Sequence, residues 1–248
     1  YRPVVSSGEE RAMSLKDKYC IAGVGMTKVG RVPGITSYGF NVEAIKLAIE
    51  DSGIPKNEID GVLTKAPTSG FIMLYSAKIA QLLGITPKVT LTIDAAGATN
   101  AMMVQYAMMA IDAGLCNTVV LSYGDNPVSG PPGTYGRGRG NDAAYGLFGA
   151  PSGYALIAQR HMQEFGTTSA QLGAIAVACR KHACLNPNAQ LYGKPLTIEE
   201  HLHARYVVEP LRRTDCCLVS DGGAAVIVTS AERAKTLRKR PVYIIGMG

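Results

Sequence analysis

The chain has 248 residues, of which 47% are hydrophobic and 18% charged, and it carries a formal net charge of +6. That balance belongs to a globular chain able to bury one or two cores, and it excludes a disordered one. No stretch comes near the roughly 18 consecutive apolar residues that a membrane-spanning helix needs.

The N-terminal residues do not read as a secretory signal, because no apolar core follows Arg2. Residues 1–18 are an expected extension, with Met13 a candidate natural start and residues 1–12 an upstream extension or a cloning remnant. Residues 19–24 (YCIAGV) form the first strand candidate, and a glycine-punctuated loop follows. Residues 37–52 read as a helix with Val42, Ile45 and Ile49 on one face, stopped by Gly53 and Pro55. GVLTKA at 61–66 is a strand, 71–84 a helix closed by Gly84, and 88–93 a strand with alternating β-branched residues.

The turn TIDAAGATNA at 92–101 has the form of a nucleophile turn, with a strand ending at Asp94 and a helix opening near Ala98. Position 97, where a reactive side chain would sit, is Gly97. The helix at 98–113 is apolar almost all round, which predicts burial in the middle of the fold and makes its methionines core rather than cofactor ligands. A strand at 117–123 follows, then a loop at 124–142 rich in glycine and proline. Helices are expected at 151–165, 169–184 and 197–205, a strand at 224–229, a short basic helix ERAKTLRKR and a last strand PVYIIGMG. Alternating strands and helices predict an α/β fold with a mostly parallel sheet covered on both faces.

The basic cluster from Arg233 to Arg240 lacks interleaved aromatics, so nucleic acid is a poor partner and a phosphate-bearing small molecule a better one. Arg137 and Arg139, in the glycine-rich loop, are candidates to meet such phosphates, with a solvated loop as the plainer reading. The loop lacks the GK[ST] ending of a P-loop. Six cysteines at 20, 116, 179, 184, 216 and 217 contain no CxxC, and with His182 they match no common zinc pattern, so no metal is expected. Most are expected to be reduced and buried, in a cytoplasmic protein. His161 and His182 read as surface or capping residues, and His201 and His203, two apart on a helix, face different ways.

In combination, DCCLVSDGGAAVIV at 215–228, YGLFGAPSGYALIAQRHMQEFGTT at 145–168, RKHACLNPNA at 180–189 and PVYIIGMG at the end resemble the thiolase superfamily, in its SCP2-thiolase or lipid-transfer-protein branch. The resemblance implies a five-layer αβαβα fold of two similar halves. Of these, residues 19–123 and 206–248 would be the N-terminal half and 124–205 an inserted loop domain, and the chain would end at a boundary inside a longer architecture. The second half would carry a Gly-His-Pro segment and a second cysteine, neither of which occurs here.

In thiolases the turn aligned with AAGATN holds the acyl-accepting cysteine where this chain has Gly97. A thiolate there gains from the helix N-terminus, whereas glycine closes the covalent route. The nearest thiol along that helix, Cys116, is roughly 28 Å away at 1.5 Å per residue. Cysteine-less relatives act as aldolases on β-hydroxyacyl-CoA, often a steroid side chain, so the resemblance implies retro-aldol cleavage of an acyl-CoA thioester with catalytic residues outside this chain. Two alternatives stay open: a non-catalytic acyl-CoA- or lipid-binding subunit, and an acetyltransferase-type thiolase with a substituted nucleophile. Phe148, Gly149 and Ser152 align with the family's acyl-pocket segment. The resemblance also implies CoA as substrate rather than a bound cofactor, a homodimer through the strand that carries Val89 and ends at Asp94, and a DUF35-type zinc-ribbon/OB-fold partner.

Overall fold

A computed structural model of the chain describes residues 15–70, 72–130 and 140–247. The first strand, β1 (Tyr19–Met26), leads into α1 (Ser37–Ser52). Thr36 caps that helix by accepting a hydrogen bond from the Gly39 N–H, and Gly53 ends it in the left-handed region at φ 70°. Next come β2 (Gly61–Lys65), α2 (Tyr75–Leu83), β3 (Val89–Ile93), α3 (Thr99–Asp112) and β4 (Thr118–Asp125). The chain then leaves the sheet for α4 (Ala150–Phe165), α5 (Ser169–Leu185) and α6 (Ile198–His203). It returns through a hairpin of β5 (Tyr206–Val208) and β6 (Leu211–Arg212), which packs on α4. The last elements are β7 (Gly222–Ser230), the single turn α7 (Ala231–Ala234) and the two-residue β8 (Val242–Tyr243).

The six-stranded sheet has the order β3-β2-β4-β7-β1-β8. The expectation of a mostly parallel sheet is corrected here. Only the β2–β3 and β2–β4 pairings are parallel, whereas β4–β7, β7–β1 and β1–β8 are antiparallel. The first four strands do run the same way, but β7 comes back from the helical excursion and inserts between β4 and β1. A pairing between residues about a hundred positions apart leaves no periodic trace in the sequence. The β5–β6 hairpin was likewise not foreseen, and the basic segment after β7 forms one helical turn rather than a longer helix.

Two cores flank the sheet. On one face α1 and α2 bury Ala44, Ile45, Ala48, Tyr75 and Ile79 against Val62, Val120 and Ile227. On the other, α3 buries Met103, Ala107 and Met108 against Leu63, Val119, Leu121 and Val228. The expectation that α3 is buried all round is corrected too. Met102 and Met109 are 45% and 46% exposed, and Val24 and Met26 of β1 lie uncovered beside the helix. A single helix spans only part of a sheet face, so the β1 side of that face has no layer of its own among the described residues.

On the opposite face α1 presses directly on strand backbone. A Cβ built on Gly25 would collide with the Ala44 carbonyl oxygen, and one on Gly223 would lie 2.7 Å from that of Phe40. Asn41, fully buried, fills the remaining gap. Its amide donates to the carbonyls of Ser37 and Gly124 and to the Tyr75 hydroxyl, and it accepts from Ser122. Gly25→Ala should therefore lift α1 and cost about 3 kcal/mol or more, read as a lowered urea midpoint. Gly70→Ala, where a Cβ meets nothing within 4 Å, should stay within about 0.5 kcal/mol.

Candidate functional site

Ligands of open α/β sheets gather at the carboxyl ends of parallel strands, which here means the ends of β3, β2 and β4. After β3, a 3-10 turn at Ala96–Ala98 leads straight into α3. Asp94 Oδ1 accepts from the Ala96 N–H at 3.0 Å. Thr99, fully buried, accepts from the Ala95 N–H at 2.8 Å and donates to the Ala96 carbonyl at 2.8 Å. These bonds hold Ala96 at φ 50°, the left-handed region that a residue with a Cβ seldom occupies.

The strain of the turn thus sits on Ala96. Gly97 has no positive φ, and a Cβ built on it meets nothing within 4 Å. Neither the backbone nor the packing of the described residues requires glycine at position 97. The two buried thiols are poor nucleophiles. Burial pushes the Cys20 and Cys116 thiols up to about 11, and Cys116 lies beyond the far end of α3. Only those two of the six are buried, against the expectation that most would be, and all six are free.

Behind the turn, three strand ends carry charged groups. Lys65, at the end of β2, reaches Asp94 Oδ1 at 3.4 Å and lies over the Tyr123 ring at 4.9 Å. The Tyr123 hydroxyl donates to Asp125, whose carboxylate also accepts from the Thr68 N–H and hydroxyl, the Ser69 hydroxyl and the Asn126 N–H. Burial alone would raise the Asp125 pKa, but the bonds from Ser69 and Thr68 and the Asn126 N–H outweigh it and hold the carboxyl below the usual range. Asp221 binds the rim in the same way. It accepts from the N–H groups of Val32, Val128 and Ser129, and against the burial that would raise its pKa the Ser129 hydroxyl and these N–H groups lower it. Its three backbone partners make Asp221 the centre of a structural turn. Lys65 and Asp125 were missed, although a lysine closing the buried strand GVLTK was a signal that could have found the first.

A cleft of about 540 Å³ opens beside the first turns of α3, between Asn100, Ala101 and Val104 on one side and Met26, Ala224 and Val226 on the other. Of the candidates in the inserted region, Ser152 is buried, accepts from the Phe148 N–H at 2.7 Å and donates to the Gly149 carbonyl at 2.9 Å. It fixes the turn that opens α4, with Gly149 at φ 126° and the Phe148 ring exposed. Arg137 and Arg139 lie outside the described residues. His161, exposed, hydrogen-bonds Thr167 and packs on Phe165. His201 is buried against Thr214 while His203 is exposed, so the two do face apart. Among the described residues no three metal-ligating side chains cluster, and no helix is long and apolar enough to cross a membrane.

No family model matches the chain. It is 36% identical, over 93% of its length, to the 17-hydroxy-3-oxo-4-pregnene-20-carboxyl-CoA lyase of Mycobacterium tuberculosis, covering 62% of that protein. It is also 36% identical, over 91% of its length, to the steroid side-chain-cleaving aldolase of Thermomonospora curvata, covering 60% of it. Among solved structures, the Ltp2-ChsH2(DUF35) aldolase superposes with a TM-score of 0.82 at 35% identity, over 94% of this chain and 60% of that one. A monomeric SCP2-thiolase-like protein of Mycobacterium smegmatis, with a TM-score of 0.70 at 22% identity over 89% of this chain and 47% of that one, shares the fold.

The mixed sheet, the strand-turn-helix at Asp94 and the helical excursion after β4 are therefore those of a thiolase-type fold. The chain is homologous to SCP2-thiolase-like, steroid side-chain-cleaving aldolases of the thiolase superfamily. It spans about 60% of the length of the curated relatives named above.

The two depressed carboxyls give a pH test with a defined sign. Their folded pKa values lie below the unfolded value of about 3.9, so their stabilisation is complete above that value and is lost as pH falls through the folded pKa. The thermal midpoint should exceed that of Asp125→Asn or Asp221→Asn at about pH 6, and the gap should narrow below about pH 4. A gap independent of pH would remove charge as the cause.

Proposed function

We propose that this chain works within an enzyme that cleaves a β-hydroxyacyl-CoA, of the steroid side-chain class, by a retro-aldol reaction. The β-hydroxyl loses its proton to a base and the Cα–Cβ bond breaks. Cβ becomes the carbonyl of a ketone, and the bonding electrons pass to the thioester as an enolate, which is then protonated at Cα. That sequence needs an acid–base group and enolate stabilisation but no acyl-enzyme. The observation that carries the reading is Gly97, which occupies the nucleophile turn where neither φ nor packing calls for glycine. The activities for which the two bacterial relatives are named support the same chemistry.

Within this reading, Phe148, Gly149 and Ser152 line the acyl site, Arg137 and Arg139 meet the CoA phosphates, and no cofactor beyond the CoA substrate is used. The cleft beside α3 is covered by the part of the fold that corresponds to the rest of the relatives' length. The open edge of β3 pairs with a second copy. A DUF35-type partner, present in the similar aldolase assembly, completes a cytoplasmic complex.

The test uses this chain with the remaining portion of its fold and a DUF35-type partner, supplied with a 17-hydroxy steroid side-chain CoA thioester. Release of the steroid ketone and a shortened acyl-CoA is expected, and Gly97→Ala should keep kcat/KM within about threefold. Thiolysis that appears only in Gly97→Cys would instead favour a thiolase with a substituted nucleophile. Tight thioester binding without any cleavage would favour a binding subunit.

A further inference from the structure

Lysine is rarely buried unless its charge is matched. Lys65 is only 7% exposed, and it closes the central parallel strand directly behind the vacant turn. Its ammonium has three partners. It meets Asp94 Oδ1 at 3.4 Å, donates to the Ala66 carbonyl at 3.2 Å and lies over the Tyr123 ring at 4.9 Å. The same Asp94 oxygen accepts from the Ala96 N–H. One atom therefore joins the buried cation to the residue that bears the backbone strain of the turn. Asp94 itself has a half-exposed side chain, so its carboxylate borders the turn rather than the core.

We infer that Lys65 is a positioning residue for the vacant turn, acting through Asp94 to hold Ala96 in its left-handed conformation and to neutralise the carboxylate beside Gly97. Without the ammonium an unpaired anion would border the start of α3, and any negative charge that develops there would be opposed. An enolate and the phosphates of CoA are both anionic. The inference rests on the retro-aldol reading only in taking this turn as the place where the thioester reacts.

The pair can be probed without turnover. A thiol introduced by Gly97→Cys reports the local charge through the pH midpoint of its alkylation by iodoacetamide, scored on the peptide that carries position 97. In that background Lys65→Met leaves Asp94 unpaired and should raise the midpoint by roughly half a unit to one unit. Asp94→Asn keeps an acceptor for the Ala96 N–H but leaves the lysine unpaired, so it should lower the midpoint by a similar amount. Lys65→Arg should stay at the parental value.

Opposite shifts in the first two variants are the signature. A purely structural loosening would move both the same way, and that result, or no shift in either, overturns the inference. If Lys65→Met fails to fold by circular dichroism, Asp94→Asn decides, and an unchanged midpoint there overturns it. Opposite shifts without retro-aldol turnover in the assembled protein would defeat the proposed reaction and leave the role of Lys65 standing.

Discussion

The first turns of α1 lie against strand backbone with no layer of side chains between, and the rest of the molecule is arranged around that contact. Gly25, Gly124 and Gly223 stand on three adjacent strands where any Cβ would strike the helix. Because α1 sits so low, the amide of Asn41 reaches the Gly124 carbonyl and the Ser122 hydroxyl of β4 and the Tyr75 hydroxyl of α2. A buried polar group satisfied on all sides costs little and specifies much. It locks the register of α1 against β4, and so places the strand ends whose loops form the rim.

That rim is held by carboxylates rather than by apolar packing. Asp125 gathers the loop after β2 onto β4, and Asp221 ties the β1–α1 loop and the chain after β4 to the start of β7. Each anion gives a short polar loop several charge-assisted hydrogen bonds, which lets loops stay open to ligand without coming loose. The turn at Gly97 follows the same logic, with Asp94 and Thr99 capturing backbone groups that a 3-10 start leaves unpaired. The turn thus holds one defined pose, strain on Ala96 included, with glycine at position 97. On the proposed function that pose serves a thioester that reacts without an acyl-enzyme.

The opposite face of the sheet shows what a single chain leaves unfinished. α3 covers the β2 and β4 side, while Met26 at the cleft and Met102, Met109 and Val24 remain exposed. Apolar surface of that kind marks a place where further protein packs. The relatives' greater length supports the proposal that the second part of the fold does so. The all-round apolar pattern of α3 is the pattern of a helix between two layers, and one of those layers is what the chain itself supplies.

Much of this was legible in the residues. Gly53 and Gly84 end α1 and α2 where expected, and the bounds of α1 agree at both ends because Thr36 and Gly53 are caps with local chemistry. The strand-turn-helix around Gly97 could also be located, since a strand, a small-residue turn and an apolar helix in succession form a local pattern. The placement of β7 between β4 and β1 could not, nor could the hairpin at β5–β6, because both depend on partners far away in sequence. Phe148, Gly149 and Ser152 were picked out by resemblance, and their hydrogen bonds show how the α4 turn is built. Lys65 escaped because a strand-end lysine looks like a solvated charge until Asp94 and Tyr123 are brought beside it. By itself, then, the sequence determined most of the elements and the helix caps at Gly53 and Gly84, governed by short-range sterics and hydrogen bonding. Tertiary structure alone decided which strands run antiparallel and which charged groups meet, because those are set by contacts between segments that the chain order keeps apart.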